Sequence, residues 1–309
     1  MERRIVTLTL NPAIDLASAT PILQPTHKIR TTGEQVDPGG GGVNVARVVH
    51  ALGGAALAVV AAGGATGRFL TELLEEAEIP FRAVPIAGRT RVSFTVRETE
   101  TEREYRFVPE GPRLEEPEWR AACEAALVAP GAFLVASGSL PPGVPAGAYA
   151  ELTRRARAAG RRVVLDTSGP ALAAALGQGL DLIKPSLREL ESLLGHKVSD
   201  PAGEAAALVA AGAARMVAVT LGAEGALLAT ADGVLRRPAL PGPVRSAVGA
   251  GDAFLGALVL ALARGATPAV ALDWGLAAGA TAVAGLGTAR LTRAETEARL
   301  PTGSELAPC

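Results

Sequence analysis

The chain has 309 residues, 49% of them hydrophobic and only 3% aromatic, so it can build a sizeable core, mostly from Ala, Leu and Val. Its formal net charge of -1, without a basic stripe, argues against nucleic-acid binding. Two distant cysteines, Cys123 and Cys309, give neither a disulfide framework nor a metal knot, and His27, His50 and His196 have no ligand spacing.

The N-terminus enters a strand pattern at Ile5–Leu8, and its apolar run is too short for a signal peptide. The apolar run Ala253–Ala263 is shorter than the roughly 18 residues a membrane span needs, so a soluble cytoplasmic protein is expected, with no membrane partner. Further along, Asp37-Pro38-Gly39-Gly40-Gly41-Gly42-Val43-Asn44 leads into a helix over Val43–Leu52 that Gly53-Gly54 ends. Four glycines in a row lose much entropy on ordering, and the usual reason to accept that is close approach of a ligand, with a flexible hinge as the alternative. Buried strands read at Leu57–Ala61, Phe133–Ala136, Val163–Asp166, Leu180–Ile183 and Met216–Leu221. Helices read at Gly67–Glu76, Pro117–Leu127, Ala146–Ala159, Leu187–Leu194, Ala202–Ala211, Ala253–Arg264 and Pro268–Val283. The alternation predicts an α/β fold, a doubly wound, mostly parallel sheet with helices on both faces. Ile29–Val36, Arg91–Arg97 and Glu104–Val108 alternate without helical partners and read as a small separate sheet, with Glu98–Arg103 as its charged turn. A hairpin follows at 225–237, turning at Asp232-Gly233. Residues 1–301 read as one domain, with lid strands at about 12–37 and 89–109. The tail from Thr302 to Cys309 reads as loose.

The candidate polar residues cluster after strand ends, where such sheets place their ligand crevice. They are Ser137–Gly143, Asp166-Thr167-Ser168, Lys184–Glu189 and Thr220–Gly225. Only Lys28, Lys184 and Lys197 are lysines, against 30 basic residues in all, so each lysine invites a question. The most informative stretch is Ser246-Ala247-Val248-Gly249-Ala250-Gly251-Asp252, followed by an apolar helix. Bare amides at a helix start, approached through glycine, suit a phosphoryl group, and Asp252 sits where a carboxylate can take a proton from an attacking hydroxyl. The plainer alternative is a glycine turn with an N-capping Asp. No P-loop, dinucleotide fingerprint or protein-kinase motif is present.

These motifs together resemble the PfkB family of the ribokinase superfamily. The resemblance runs through Thr7-Leu8-Thr9-Leu10, Asn11-Pro12-Ala13-Ile14-Asp15, Gly39–Asn44, Ser137–Gly143, Lys184-Pro185, Gly222–Gly225 and Gly249–Asp252, essentially the whole chain. Four glycines at 39–42, where related 1-phosphofructokinases usually carry a lysine, and Tyr105-Arg106-Phe107-Val108 resemble the minor-type branch that phosphorylates fructose 6-phosphate. The resemblance implies a ribokinase-like fold with a β-sheet lid. It implies Asp252 as the base, and the amides of Gly249, Ala250 and Gly251 as an anion hole. Asp15, Gly40, Gly41 and Asn44 would hold sugar hydroxyls. Lys28, Arg30, Arg91 and Ser139 would gather the phosphate of a phosphorylated ketohexose. Lys184, Thr220, Gly222 and Gly225 would face ATP, and Glu189 would organise Mg²⁺ through water. Carbonyls near Ser246 and Val248, and around Ala282 to Gly287, would suit K⁺. A homodimer through the lid is implied. One departure is visible: the family's acidic motif normally reads Asn-x-x-Glu, and Ser186 takes the asparagine's place. Two alternatives stay open, a kinase for fructose 1-phosphate or tagatose 6-phosphate, and a non-catalytic sugar-phosphate sensor.

Overall fold

The computed structural model describes residues 4–285, 288, 290–304 and 306. The chain starts with β1 (Ile5–Thr9), whose five side chains are all buried. Strands of this kind pair in parallel and need helices on both faces. Here β1 lies between β4 (Ala56–Ala62) and β8 (Phe133–Ser137), parallel to both. Outward from β8 come β9 (Arg162–Asp166), β10 (Leu182–Ile183) and β11 (Met216–Thr220), again parallel. The antiparallel hairpin of β12 (Ala226–Thr230) and β13 (Gly233–Arg237) closes one edge, and β5 (Phe81–Pro85) closes the other. The result is a nine-stranded sheet. Two buried apolar clusters flank it, one gathering Val43–Leu52 and Phe254–Leu262, the other Trp119–Ala129 and Tyr149–Ala156.

The second sheet has four strands. β2 (Ala13–Thr20) pairs antiparallel with β3 (Thr32–Gly39) and parallel with β6 (Arg91–Glu98), which pairs antiparallel with β7 (Glu104–Phe107). One expected lid strand is displaced: pairing spans Thr32–Gly39 rather than Ile29–Val36. β2 lies within the lid stretch expected at about 12–37, although no separate strand is read there, and β5 ends in a proline that disguises it. A short helix, Gly169–Ala175, adds to the predicted set; Pro170 fixes its first turn, as proline does at that position. β10 is only two residues long; just before it Asp181 meets Val163 twice, its amide donating to the Val163 carbonyl at 2.8 Å and its carboxylate accepting from the Val163 amide at 2.9 Å.

The tail is not loose throughout. Ser304 is buried, its hydroxyl donates to Asp273 at 2.8 Å, and its carbonyl accepts from the Trp274 indole at 2.8 Å. Satisfying those two buried groups ties the tail to α9 (Pro268–Ala284). Among the described residues no helix is long and apolar enough to cross a membrane.

Candidate active site

α8 (Ala250–Ala263) begins at Gly249, whose left-handed φ of 75° is comfortable for glycine, and no side chain caps its first turn. The Gly251 amide therefore has no capping side chain at the positive end of the helix dipole, while the Ala250 amide reaches the Ala247 carbonyl at 3.4 Å. Asp252 sits in that turn. Its carboxylate accepts from the Asn44 amide at 2.8 Å, across from the first turn of α1 (Gly41–Ala51). Burial pushes Asp252 up to about 7, helped by the nearby Asp166 charge and opposed by the Asn44 bond and Lys184. A carboxyl so poised can exchange a proton near neutral pH.

Lys184 was expected to face the nucleotide. It is buried and paired with Asp166 at 3.2 Å, in reach of Gly251, where an added Cβ would lie 3.4 Å from Nζ. Burial works against its charge, but Asp166, Asp252 and Glu189 outweigh that and hold the ammonium charged. Its positive charge thus stands beside the start of α8. Asp166 is one of the crevice candidates after a strand end, without an assigned role; its side chain also accepts from the Ser137 hydroxyl at 3.3 Å. The signal available was its position at the carboxyl end of β9, next to β10, whose end Lys184 follows.

The four glycines have a second explanation. A Cβ on Gly39 would lie 2.2 Å from Asp15 Oδ2, on Gly41 2.2 Å from Ser137 Oγ, and on Gly42 2.5 Å from Thr9 Oγ1. On Gly40, whose φ is +106°, it would meet Thr9 Cγ2 at 2.8 Å. The loop is thin because Asp15, Ser137 and Thr9 press against it, so protein neighbours alone demand glycine. Asp15 lies on β2 opposite Asp37 of β3 and accepts from the Thr288 hydroxyl at 3.4 Å. Burial raises its pKa, with Arg106 and Arg91 pulling the other way. A network the sequence did not reveal holds this wall. Asp37, buried, takes Arg47 at 3.0 Å, Arg290 at 2.9 Å and the Thr288 amide at 3.3 Å. Its partners lie 10 and 253 residues away, so no local spacing announces them.

Arg91 donates to the carbonyls of Pro109 at 2.8 Å and Asn11 at 2.9 Å. Ser139 is exposed and accepts from Asn11 at 3.3 Å. Lys28 and Arg30 are exposed in the loop 21–31. At the far side Thr220 ends β11, and its amide bonds Pro185. The turn Gly222–Glu224 follows, with φ of +61° at Gly222. Gly225 is required by the hairpin behind it, since its Cβ would meet the Arg237 carbonyl at 2.1 Å.

The sequence pattern of the pfkB family carbohydrate kinases matches residues 7–295. The chain belongs to the PfkB family of carbohydrate kinases. It is 44% identical over 299 residues to the ATP-dependent 6-phosphofructokinase isozyme 2 of Mycobacterium tuberculosis, covering 95% of this chain and 88% of that one. To the isozyme 2 of Escherichia coli it is 40% identical over 301 residues, covering 95% and 97%. A 1-phosphofructokinase of Xanthomonas campestris is 37% identical over 280 residues, covering 86% of each. Among solved structures, phosphofructokinase-2 from Escherichia coli in complex with potassium superposes with a TM-score of 0.91 at 39% identity, covering 96% of this chain and 97% of that one.

Membership in the PfkB kinases implies ATP and a divalent metal, and the donors present fit one. Asp166, Glu189 and Asp252 line one cavity with Ser137 and Ser139, an oxygen-rich wall suited to Mg²⁺ that keeps most of its water. Among the described residues no group of His, Cys, Asp or Glu could cage a metal unaided. In the family's Asn-x-x-Glu position Ser186 closes a capping box on the helix Leu187–Leu194. Glu189 Oε2 accepts from both the Ser186 amide and hydroxyl at 2.8 Å, and Ser186 Oγ accepts from the Glu189 amide at 3.3 Å. The serine hydroxyl thus serves the helix start before it serves any metal-bound water.

Of the expected monovalent-cation donors, Ser246 bonds Glu104 at 3.2 Å and receives the Val248 amide at 3.2 Å. The Ser246 amide reaches the Val283 carbonyl, bringing this turn against the end of α9, where Ala282 accepts from Gly285. Gly287 lies outside the described residues.

Proposed function

We propose that the chain transfers the γ-phosphoryl group of ATP to the carbon-1 hydroxyl of fructose 6-phosphate, giving fructose 1,6-bisphosphate. The observation that carries this reading is the uncapped first turn of α8 with Asp252 inside it, Asn44 fixing the carboxylate and the Lys184 ammonium alongside. Asp252 takes the hydroxyl proton as the oxygen attacks. The amides of Gly249, Ala250 and Gly251 receive the growing negative charge, and their orientation is set before reaction, so little reorganisation is needed. Asp15, Asn44 and the peptides of Gly40 and Gly41 hold the sugar. Arg91 and Ser139 receive its phosphate. Thr220, Gly222 and Gly225 border the nucleotide. Mg²⁺, held by Glu189 and Asp166 through water, would neutralise phosphate charge. A monovalent cation such as K⁺ at the Ser246–Val248 turn would steady the anion hole from behind.

We also assign a homodimer built on the lid. Phe94 and Phe107 are register partners on neighbouring strands and are 45% and 56% exposed. Val108, next in the chain, is 54% exposed. An aromatic patch of this kind is what soluble chains cover, and a second copy covers it by two-fold pairing.

ADP release from purified protein, coupled to an optical readout over a panel of plain and phosphorylated ketohexoses, tests the reaction. Fructose 6-phosphate should give the highest kcat/KM. Faster turnover of fructose 1-phosphate or tagatose 6-phosphate would move the assignment to that sugar, and sugar binding without ADP release would make the protein a sensor.

A further inference from the structure

We infer that Asn11 is the positioning residue that makes the site selective for a phosphorylated sugar; this rests on the reading of Arg91 and Ser139 as the phosphate receivers. Asn11 sits in the three-residue link between β1 and β2 and is 3% exposed. Its Nδ2 donates to the Glu110 carbonyl at 2.9 Å and to Ser139 Oγ at 3.3 Å, while its backbone carbonyl accepts from Arg91 Nη2 at 2.9 Å. Arg91 Nη1 in turn donates to Pro109 at 2.8 Å. One residue therefore ties together a group from the lid strand β6, a group from the loop after β8, and the segment by which the lid returns to the main sheet.

The direction of these bonds matters. A carbonyl can only accept, so the Glu110 contact fixes which end of the Asn11 amide faces it. Ser139 then accepts from Nδ2, and its own hydroxyl proton is left to donate outward, as an anion requires. Arg91 uses two of its five N–H groups on carbonyls, and the buried Nε–H is left without a partner. A buried unsatisfied donor is costly and calls for an acceptor. The other end of the amide, Oδ1, is buried and unpartnered too, and it presses on Gly111, where a Cβ would lie 2.2 Å away. Gly111 has a φ of +99°, so this crossing tolerates only glycine. Asn11 cannot shift without moving Ser139, Arg91 and the lid return together.

The test compares kcat/KM for fructose 6-phosphate and for fructose in wild type, Asn11→Ala, Asn11→Asp, Ser139→Ala and the Asn11→Ala/Ser139→Ala double variant. Loss of one or two positioning bonds should lower the ratio of the two by about tenfold in Asn11→Ala. Asn11→Asp should lower it further, because a carboxylate oxygen would face the Glu110 carbonyl. The loss should fall on KM for the phosphosugar rather than on kcat. The double variant should be little worse than Ser139→Ala, because Asn11 acts through that hydroxyl. Equal losses on both sugars, or fully additive losses in the double variant, would overturn the inference. Should Asn11→Ala not fold, the nearly isosteric Asn11→Asp carries the test, and an unchanged ratio there is equally fatal. A wild type that does not prefer fructose 6-phosphate over fructose would instead sink the phosphate-site reading beneath it.

Discussion

Asp252→Asn separates two consequences of one carboxyl. Asparagine keeps the volume and can offer its own carbonyl to the Asn44 amide, now at 2.8 Å from Asp252 Oδ2. It cannot accept the substrate proton, so turnover should fall about 10²–10⁴-fold with sugar binding nearly intact. The same carboxyl bears on stability. Its folded-state pKa is raised from 3.8 to about 7, chiefly by burial. A raised carboxyl pKa means the folded state holds its proton longer than the unfolded state does. Its contribution is therefore fully present below about pH 4 and is lost as pH rises through about 7. At 1.36 kcal/mol per pH unit the loss is on the order of 4 kcal/mol, an upper figure because the side chain is partly open to the cleft. The asparagine variant escapes it, so its Tm should exceed wild type by roughly 5 °C at pH 8 and by little at pH 4. For wild type, kcat/KM should rise through about pH 7 to a plateau as the base ionises. Calorimetry and initial rates across pH 4–9 read both. Near-wild-type turnover in the variant, or one constant Tm difference at every pH, would refute the reasoning.

Three other perturbations follow from the same geometry. Glu189→Gln should raise the Mg²⁺ concentration for half-maximal rate while leaving KM for the sugar close to wild type; an unchanged Mg²⁺ titration removes Glu189 from the metal site, and the companion Ser186→Asn should lower the requirement or leave it unmoved. Gly39→Ala places a methyl 2.2 Å from Asp15 Oδ2, so it should raise sugar KM about tenfold or more by displacing that carboxylate, and unaltered KM would mean that Asp15 does not hold the sugar. Phe94→Asp or Phe107→Asp should give monomers by light scattering at micromolar concentration with weakened sugar binding; a monomeric wild type, or a dimer indifferent to both changes, ends the lid-dimer assignment.

The parallel sheet was legible because its strands are continuous apolar runs, such as Leu134–Ala136 and Val217–Val219, that only a two-sided cover can bury. The start of α8 was legible too, since Gly249 to Asp252 are adjacent in the chain. What stayed hidden depends on distance. Asp37 meets Arg290 from 253 residues away, and Asn11 meets Ser139 from 128. No window of sequence contains either pair. The glycine run illustrates a different limit. Its spacing pointed to a close approach, but whether a ligand or the protein itself approaches is decided by Thr9, Asp15 and Ser137, none of which adjoins it in sequence. Lys184 was visible as a rare lysine, yet its pairing with Asp166 depends on which strands become neighbours.

The joint between β3 and α1 is a single residue, Gly40. That makes the chain unevenly tolerant of added length. Residues inserted into the exposed loop 21–31, or at the turn 99–103, extend the lid's rim and leave its pairing register alone. One residue inserted beside Gly40 has no slack to absorb it. The start of the helix must advance or turn by about 100°, the angle one residue occupies in an α-helix, and Asn44 would swing from facing Asp252 toward a neighbouring wall. A tag or fused partner therefore belongs at the rim, and length variation among functional relatives should collect there and be missing at residue 40.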